Sequence, residues 1–137
     1  MNFLELFKDW EDREVFDAQS VIFSESEPAD VMYVVLSGEV EMTLHDEVLG
    51  TEATGGIIGE MAIIDARTRN STATAKTDVT LARLTKDQIR ELVDMSSEFS
   101  FHAMATLANR LRAVDRYISD HIEQQLKPLE GGLGKWT

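Results

Sequence analysis

Residues 31–44 read VMYVVLSGEVEMTL and carry the clearest strand signal in the chain. Residues 31–36 are rich in β-branched and aromatic side chains, and Ser37-Gly38 is a turn dipeptide. Residues 40–44 then alternate apolar and polar side chains, which is the pattern of a strand with one buried face. The stretch therefore predicts two strands joined by a tight turn.

Shorter strand candidates lie on both sides of this stretch. Upstream, residues 15–23 look extended, and the polar turn at 24–30 contains Pro28, which disfavours a central strand. Downstream, further strand candidates occupy residues 47–51, 71–76 and 79–84. A run of short strands of this kind is typical of an antiparallel β roll or barrel.

Helical patterns occupy both ends of the chain. Asn2 to Trp10 has aromatic and leucine side chains at helical spacing, which predicts a short amphipathic helix. Thr85 has the chemistry of an N-cap for the helix KDQIRELVDM, and a longer helix is expected from about Ser96 to Leu126. Apolar side chains recur along it at spacings of three and four and are expected to pack first against the β roll: Phe101, Met104, Leu107, Leu111, Val114 and Ile118. The fold class is therefore mainly β with terminal helices.

Composition excludes several classes of function. The 137 residues fit one domain, and the net charge of -12 disfavours binding to nucleic acid or to an anionic membrane. The absence of cysteine excludes disulfides, thiolate zinc sites and a catalytic cysteine. The N-terminus has no signal-peptide pattern, and no apolar run reaches membrane-spanning length, so a cytoplasmic protein is expected.

Metal and catalytic constellations are not indicated either. His45, His102 and His121 lack the close spacing on paired strands that a metal site in a cupin-like enzyme needs. No serine–histidine or paired-carboxylate arrangement stands out. The sequence therefore predicts neither a metal site nor an enzyme.

Residues 59–73 read GEMAIIDARTRNSTA and combine the features of an anion site. In GGIIGEMA, at 55–62, glycines precede a predicted short helix from Glu60 to Ile64, whose free amides and dipole favour an anion. Arg69 can supply a bidentate guanidinium to a phosphate. A carboxylate at Glu60 makes sense if the ligand also carries hydroxyls, as a sugar does. Together these features favour a ribose phosphate.

The same stretch resembles the phosphate-binding cassette of cyclic nucleotide-binding domains, the family of catabolite activator proteins and of cAMP-dependent protein kinase regulatory subunits. FSESEPADVMYVVLSGEVEM (23–42) is similar to the strand–turn–strand entry of that family, and TATAKTDVTLARL (72–84) continues the likeness. The resemblance covers roughly residues 13–118. It implies an eight-stranded jelly roll, or double-stranded β-helix, with an N-terminal helix and a C-terminal helical lid.

The resemblance implies a role for each cassette residue. Glu60 would accept a hydrogen bond from the ribose 2′-hydroxyl, and Gly59 would let the backbone approach the sugar. Met61 and Ala62 would offer backbone amides to the cyclic phosphate, whose exocyclic oxygens would pair with Arg69.

Further positions would complete the ligand site. Asn70 and Ser71 would add donors, and Met42 and Thr72 stand near the purine pocket of the family. The helix at 112–117, with Arg116 and Tyr117, would close over the base. Asn70 favours cAMP over cGMP, because members that touch guanine often carry Ser or Thr there. Two departures affect loop geometry: Arg67-Thr68 replaces the usual Gly-Pro, and Ser26 replaces a turn glycine.

These expectations combine into one interpretation. A single cyclic nucleotide-binding domain spans 1–127, with an N-terminal helix at 1–12, a β roll at 13–84, the cassette at 56–73, C-terminal helices at 85–127 and a flexible tail at 128–137. The domain would be a sensor for cAMP, with cGMP as the second candidate, and would need no cofactor. It would signal through movement of the C-terminal helix to an unknown downstream protein.

Two alternatives and one association stay open. The chain could be a ligand-free protein-interaction module on the same fold, or a cupin-like enzyme, which the histidine spacing disfavours. The three-four spacing of apolar residues, which continues through Ile118, Ile122 and Leu126, also suits a homodimer through the C-terminal helix.

Overall fold

A computed structural model describes residues 3–60 and 68–126, with side chains described as far as residue 122. Within this part of the chain a 3-10 helix is followed by eight strands and two α-helices. The 3-10 helix is Phe3–Phe7, and the strands are β1 (Arg13–Phe16), β2 (Val21–Phe23), β3 (Val31–Ser37), β4 (Val40–Leu44), β5 (Glu47–Glu52), β6 (Ile57–Ile58), β7 (Thr72–Ala75) and β8 (Val79–Thr85). The helices are α1 (Lys86–Met95) and α2 (Ser97–Leu126). The predicted class, mainly β with terminal helices, is confirmed.

The strands form two four-stranded antiparallel sheets, with the orders β1-β8-β3-β6 and β2-β7-β4-β5. The two predicted strands at 31–44 are present as β3 and β4, and they lie in different sheets. The turn between them carries the chain from one sheet to the other. It needs Gly38, because the residue has a φ of +89° and a Cβ there would collide with the carbonyl oxygen of Asp78.

Strand β3 is almost wholly apolar because both of its faces are buried. Val31, Tyr33 and Val35 point into the space between the two sheets. Met32 and Val34 point the other way, into a second core beneath the helices. One strand therefore anchors both the sandwich and the helical layer, so alternation is absent from its sequence.

The predicted helix starts are confirmed for both C-terminal helices. The Thr85 hydroxyl accepts a hydrogen bond of 3.3 Å from the Gln88 amide, and the Gln88 side chain accepts one of 2.9 Å from the Thr85 amide. This reciprocal capping box fixes the first turn of α1. The chain then breaks at Ser96, whose hydroxyl accepts from the Phe99 amide at the start of α2.

Two sequence expectations differ from the structure. The helix expected from Asn2 to Trp10 is wrong in type and extent, since only the 3-10 turn Phe3–Phe7 forms. Trp10 instead turns its indole N–H toward the Arg83 carbonyl at 2.9 Å, which ties the end of this segment to β8. Strand β6 was not predicted, because two isoleucines cannot show a period.

The expected helix from Glu60 to Ile64 lies largely outside the described residues. In the part of the chain that is described, no helix has the length and apolar character needed to cross a membrane.

Candidate functional site

The cassette residues meet where two segments of chain pass between the sheets. Gly59 and Glu60 follow β6, while Arg69, Asn70 and Ser71 lead into β7. Gly59 has a φ of +72°, and a Cβ there would lie 2.5 Å from Nη1 of Arg69. The glycine is therefore required both by its backbone conformation and by the close approach of the guanidinium. Met61 and Ala62 lie outside the described residues.

Arg69 is a buried cation whose Nε–H group has no hydrogen-bond partner among the described residues. Its side chain is 6% exposed, and its Nη1 donates to the carbonyls of Val31 at 2.9 Å and Gly59 at 3.5 Å. The guanidinium carbon lies 4.2 Å from the ring centre of Phe23. Nε is buried and has no hydrogen-bond partner among the described residues. A desolvated donor without an acceptor is costly, so this group attracts an anion.

The electrostatics of Arg69 agree with this. Burial lowers the pKa of the guanidinium, and the charges of Tyr33 and Asp30 partly oppose that change. Since the ordinary pKa of arginine is so high, the group stays charged at neutral pH. A buried positive charge in a chain of net charge -12 is a local site for an anionic ligand.

Glu60 is equally buried, at 4% exposed, and its partner comes from α2. Nε of Arg110 donates to Oε1 of Glu60 at 3.0 Å. The same guanidinium donates from Nη1 to Oε1 of Glu52 at 2.7 Å and from Nη2 to the Ile57 carbonyl at 2.8 Å. Arg110 thus ties the long helix to both sheets at the edge of the cassette.

Arg110 was not among the residues predicted for the site. The structure shows that the buried face of α2 begins with Phe99 and Ala103, and Arg110 continues that face at the spacing of two helical turns. An arginine on a buried helix face is a signal for a paired carboxylate. Finding it would have required knowing which face of α2 is buried.

The expectation that the apolar stripe of α2 packs first against the β roll is largely wrong. Phe101 is 70% exposed, Met104 54%, Leu111 65% and Ile118 46%. Leu107 and Val114 of the predicted set are half-buried. Most of the stripe therefore faces away from the roll, and the inward face of α2 carries Phe99, Ala103 and Arg110 instead.

A small cavity lies between the cassette and α2. It is lined by Met42, Leu49, Gly50, Asn70, Ser71, Arg110, Ala113 and Val114. Three predicted site residues, Met42, Asn70 and Ser71, therefore come together here. Leu49 and Gly50 on β5 and Ala113 and Val114 on α2 were not predicted. The space between these walls is about 30 Å³, whereas small-molecule sites usually measure several hundred.

The other six predicted site residues that the structure describes do not line this cavity: Gly59, Glu60, Arg69, Thr72, Arg116 and Tyr117. The Thr72 hydroxyl accepts a hydrogen bond of 3.0 Å from the Glu25 amide and so supports the loop beside β7. Arg116 is exposed, and Tyr117 stacks on His121 with ring centres 4.1 Å apart. Both lie further along α2, near β5.

Thr68 and Ser26, one residue from each departure from the family pattern, lie in neighbouring segments, whereas Arg67 lies outside the described residues. The Ser26 amide donates to the Arg69 carbonyl at 2.9 Å, and the Arg69 amide donates to the Glu27 carbonyl at 2.7 Å. Pro28 and Thr68 form a β-bridge next to these bonds. Ser26 has a φ of +71°, which is the conformation that favours glycine. The backbone of Arg69 is therefore held by the loop at 24–30 despite both substitutions.

Comparisons with known proteins identify the family to which most of this chain is similar. The family model of the cyclic nucleotide-binding domain matches residues 13–96. The CRP-like cAMP-activated global transcriptional regulator of Mycobacterium tuberculosis is 29% identical over 112 residues, covering 78% of this chain and 50% of that protein. The cAMP-dependent protein kinase regulatory subunit of Yarrowia lipolytica is 35% identical over 82 residues, covering 58% of this chain and 22% of that protein.

A solved structure gives the same result. The Thermus thermophilus catabolite activator protein is 25% identical and superposes with a TM-score of 0.72, covering 96% of this chain and 68% of that one. The chain spans about half the length of the mycobacterial regulator and about a fifth of the yeast regulatory subunit. The match over most of the β roll, together with the buried Glu60 and Arg69, shows that the chain belongs to the cyclic nucleotide-binding domain family.

Proposed function

We propose that this domain binds a 3′,5′-cyclic nucleotide and acts as a regulatory sensor without catalytic activity of its own. The observation that carries the proposal is the buried, unpartnered Nε of Arg69 beside the buried carboxylate of Glu60. One cation and one carboxylate, both desolvated and close together, suit a ligand that carries one negative charge and one hydroxyl. The cyclic phosphate and ribose of a cyclic nucleotide have this pair of groups. No cofactor is needed.

The apolar walls of the cavity suit a purine once α2 has moved away from them. With the phosphate at Arg69 and the ribose 2′-hydroxyl at Glu60, the base extends toward the cavity between Met42, Leu49 and Val114. These walls are apolar and offer few groups for the polar edge of guanine. Together with Asn70 in the cassette, they support a preference for cAMP over cGMP.

Ligand binding is coupled to α2. Arg110, Ala113 and Val114 of this helix close the cavity to about 30 Å³, so a nucleotide and the present position of the helix compete for space. Ligand therefore shifts the population toward states in which α2 has moved. The strand orders of the two sheets support a jelly roll as the rigid frame against which the helix moves.

The exposed side of α2 is the surface through which the domain would contact other proteins. Phe101, Met104, Leu111, Ile118 and Ile122 are exposed and follow three-four spacing along one face. We propose that this face pairs with a second copy of the chain and that its position signals to a downstream protein in the cytoplasm. The acidic net charge makes nucleic acid and membranes unfavourable direct partners of this domain.

Protein variants and a ligand analogue can test the roles of Arg69 and Glu60 separately. Arg69→Ala should abolish most cAMP binding. Glu60→Gln should weaken the binding of cAMP but leave the binding of 2′-deoxy-cAMP unchanged, because the deoxy ligand lacks the hydroxyl. Arg90→Ala, at an exposed arginine of α1, is the matched control. Equal losses for both ligands in Glu60→Gln would contradict the role of Glu60. Absence of binding in the wild type would favour the alternative of a ligand-free interaction module, which the exposed face of α2 supports.

A further inference from the structure

Arg110 joins two carboxylates that come from different sheets. Glu52 ends β5 in the second sheet, whereas Glu60 follows β6 in the first. Three separate nitrogens of Arg110 donate to three acceptors, at 2.7 Å to Glu52, 2.8 Å to Ile57 and 3.0 Å to Glu60. Because the guanidinium is planar, three contacts in three directions fix both its position and its orientation.

Glu52 is not part of the ligand cavity. It lines a separate groove with Thr54, Thr106 and Asn109. Its second oxygen lies against Gly56, in space that a Cβ there would fill. Glu52 therefore lies directly against the backbone at Gly56, and its link to Glu60 runs through Arg110.

The Glu52–Arg110 pair acts on the position of α2. Ala113 and Val114 lie one turn beyond Arg110 and form the helical wall of the cavity. Both partners of the pair are largely shielded from water, with side chains 19% and 27% exposed, so solvent screens the contact less than at the surface. Fixing Arg110 to the end of β5 therefore fixes the helical wall, which occupies space that the purine would need.

We propose that Glu52 is a positioning residue that holds Arg110, and with it α2, over the ligand cavity and so lowers ligand affinity. The inference rests on the proposed function for its effect on affinity, and on the described contacts alone for its effect on the helix. Glu60 binds the ligand and Glu52 restrains the helix. The two acidic partners of one arginine therefore have opposite effects on affinity.

Substitution of each carboxylate gives the first test. Glu52→Gln keeps the shape of the side chain and replaces the ion pair with Arg110 by a weaker hydrogen bond to a neutral acceptor. The closed arrangement becomes less favourable, and the dissociation constant for cAMP should fall about fivefold, at the lower end of usual coupling between sites. Glu60→Gln should change it in the opposite direction. Glu91→Gln, at an exposed position of α1, removes the same charge and should change nothing.

Further variants separate positioning from a general structural role. Glu52→Asp retains the charge, so its dissociation constant for cAMP should lie between that of Glu52→Gln and that of the wild type. In an Arg110→Gln background, Glu52→Gln should have no further effect, because the contact through which it acts is gone. A gain in affinity that persists without Arg110, or a loss of affinity in Glu52→Gln, would overturn the proposal.

A ligand-free measurement keeps the proposal testable even if no cyclic nucleotide binds. The chain has no cysteine, so single cysteines at the exposed positions Val48 on β5 and Arg112 on α2 accept spin labels without background. Labelled protein diluted with unlabelled protein reports the distance within one chain. Glu52→Gln should add a longer distance to the ligand-free distribution, and Glu91→Gln should not. An unchanged distribution in Glu52→Gln would overturn the proposal, whereas failure of the wild type to bind cAMP would count against the proposed function alone.

Discussion

Nη1 of Arg69 donates a 2.9 Å hydrogen bond to the carbonyl of Val31, which joins the cassette to the first residue of β3. Val31 itself is buried between the two sheets. The cation of the candidate site is therefore positioned by a strand that is buried on both faces. A site built in this way has little freedom to lose when a ligand binds, which favours affinity.

Gly59→Ala should remove ligand binding by displacing Arg69. The new Cβ would meet Nη1 at 2.5 Å, and the φ of +72° would add a conformational cost of about 1–2 kcal/mol. Gly55→Ala is the matched control, because Gly55 has a φ of +91° and nothing within 4 Å of its Cβ position. Both variants should lose unfolding free energy in urea, and only Gly59→Ala should lose cAMP binding as well. Retained binding in Gly59→Ala would contradict the assigned position of Arg69.

Phe99 and Phe101 lie two residues apart on α2 and test which face of the helix is buried. Phe99 is 0% exposed, so Phe99→Ala should lower the free energy of unfolding by about 3–5 kcal/mol. Phe101 is 70% exposed, so Phe101→Ala should change it by less than about 0.5 kcal/mol in dilute protein. Chemical denaturation at low concentration measures both. Similar losses in the two variants would contradict the described orientation of α2.

The sequence predicted the parts of the fold that local patterns encode. The strands at 31–44 and the N-cap at Thr85 follow from side-chain type within a few residues. The face of α2 that meets the roll could not be predicted, because Phe101 and Leu111 are more apolar than Ala103 and Arg110, which actually face inward. That choice depends on Glu52 and Glu60, which are distant in sequence and offer Arg110 its partners.

The candidate site also contains residues that local sequence patterns predict and residues that they do not. Glu60 and Arg69 were identified because the cassette is a continuous stretch with a family resemblance. Arg110 has no such local signature, since its role depends on a contact across 50 residues of sequence. Strand β6 was not predicted because only its long-range pairing with Tyr33 and Val34 defines it.

The exposed face of α2 should carry the proposed homodimer. Leu111→Asp places a charge in the middle of that face and should shift the protein toward monomer in sedimentation equilibrium. Asn109→Asp adds the same charge at an exposed position off the face and should leave the association unchanged. A wild-type protein that stays monomeric at high concentration would contradict the proposed association.

His121 should make the far end of α2 sensitive to pH. Its Nδ1 lies 2.8 Å from the Tyr117 carbonyl and its Nε2 lies 3.0 Å from Oε1 of Glu47. Only the doubly protonated ring donates to both acceptors. The hydrogen bond to Tyr117 and the charges of Glu47 and Asp120 raise the pKa of His121 above its ordinary 6.5.

The sign of the effect follows from the raised pKa. The contribution of His121 to stability is fully present below pH 6.5 and is lost as pH rises through the raised pKa of the folded state. The difference in unfolding free energy between wild type and His121→Gln should therefore shrink between slightly acidic and slightly alkaline pH. An NMR titration of the ring that gives a pKa at or below 6.5 would contradict the described contact.

Calorimetric titration of the wild-type protein with cAMP and cGMP, side by side with Arg69→Ala, tests the central claim most directly. We expect saturable binding of both nucleotides, with cAMP the tighter, and loss of most binding in Arg69→Ala. At one hundred times the dissociation constant, cAMP should also raise the free energy of unfolding by about 2.7 kcal/mol. No heat and no stabilisation with either nucleotide at millimolar concentration, or full binding in Arg69→Ala, would contradict it.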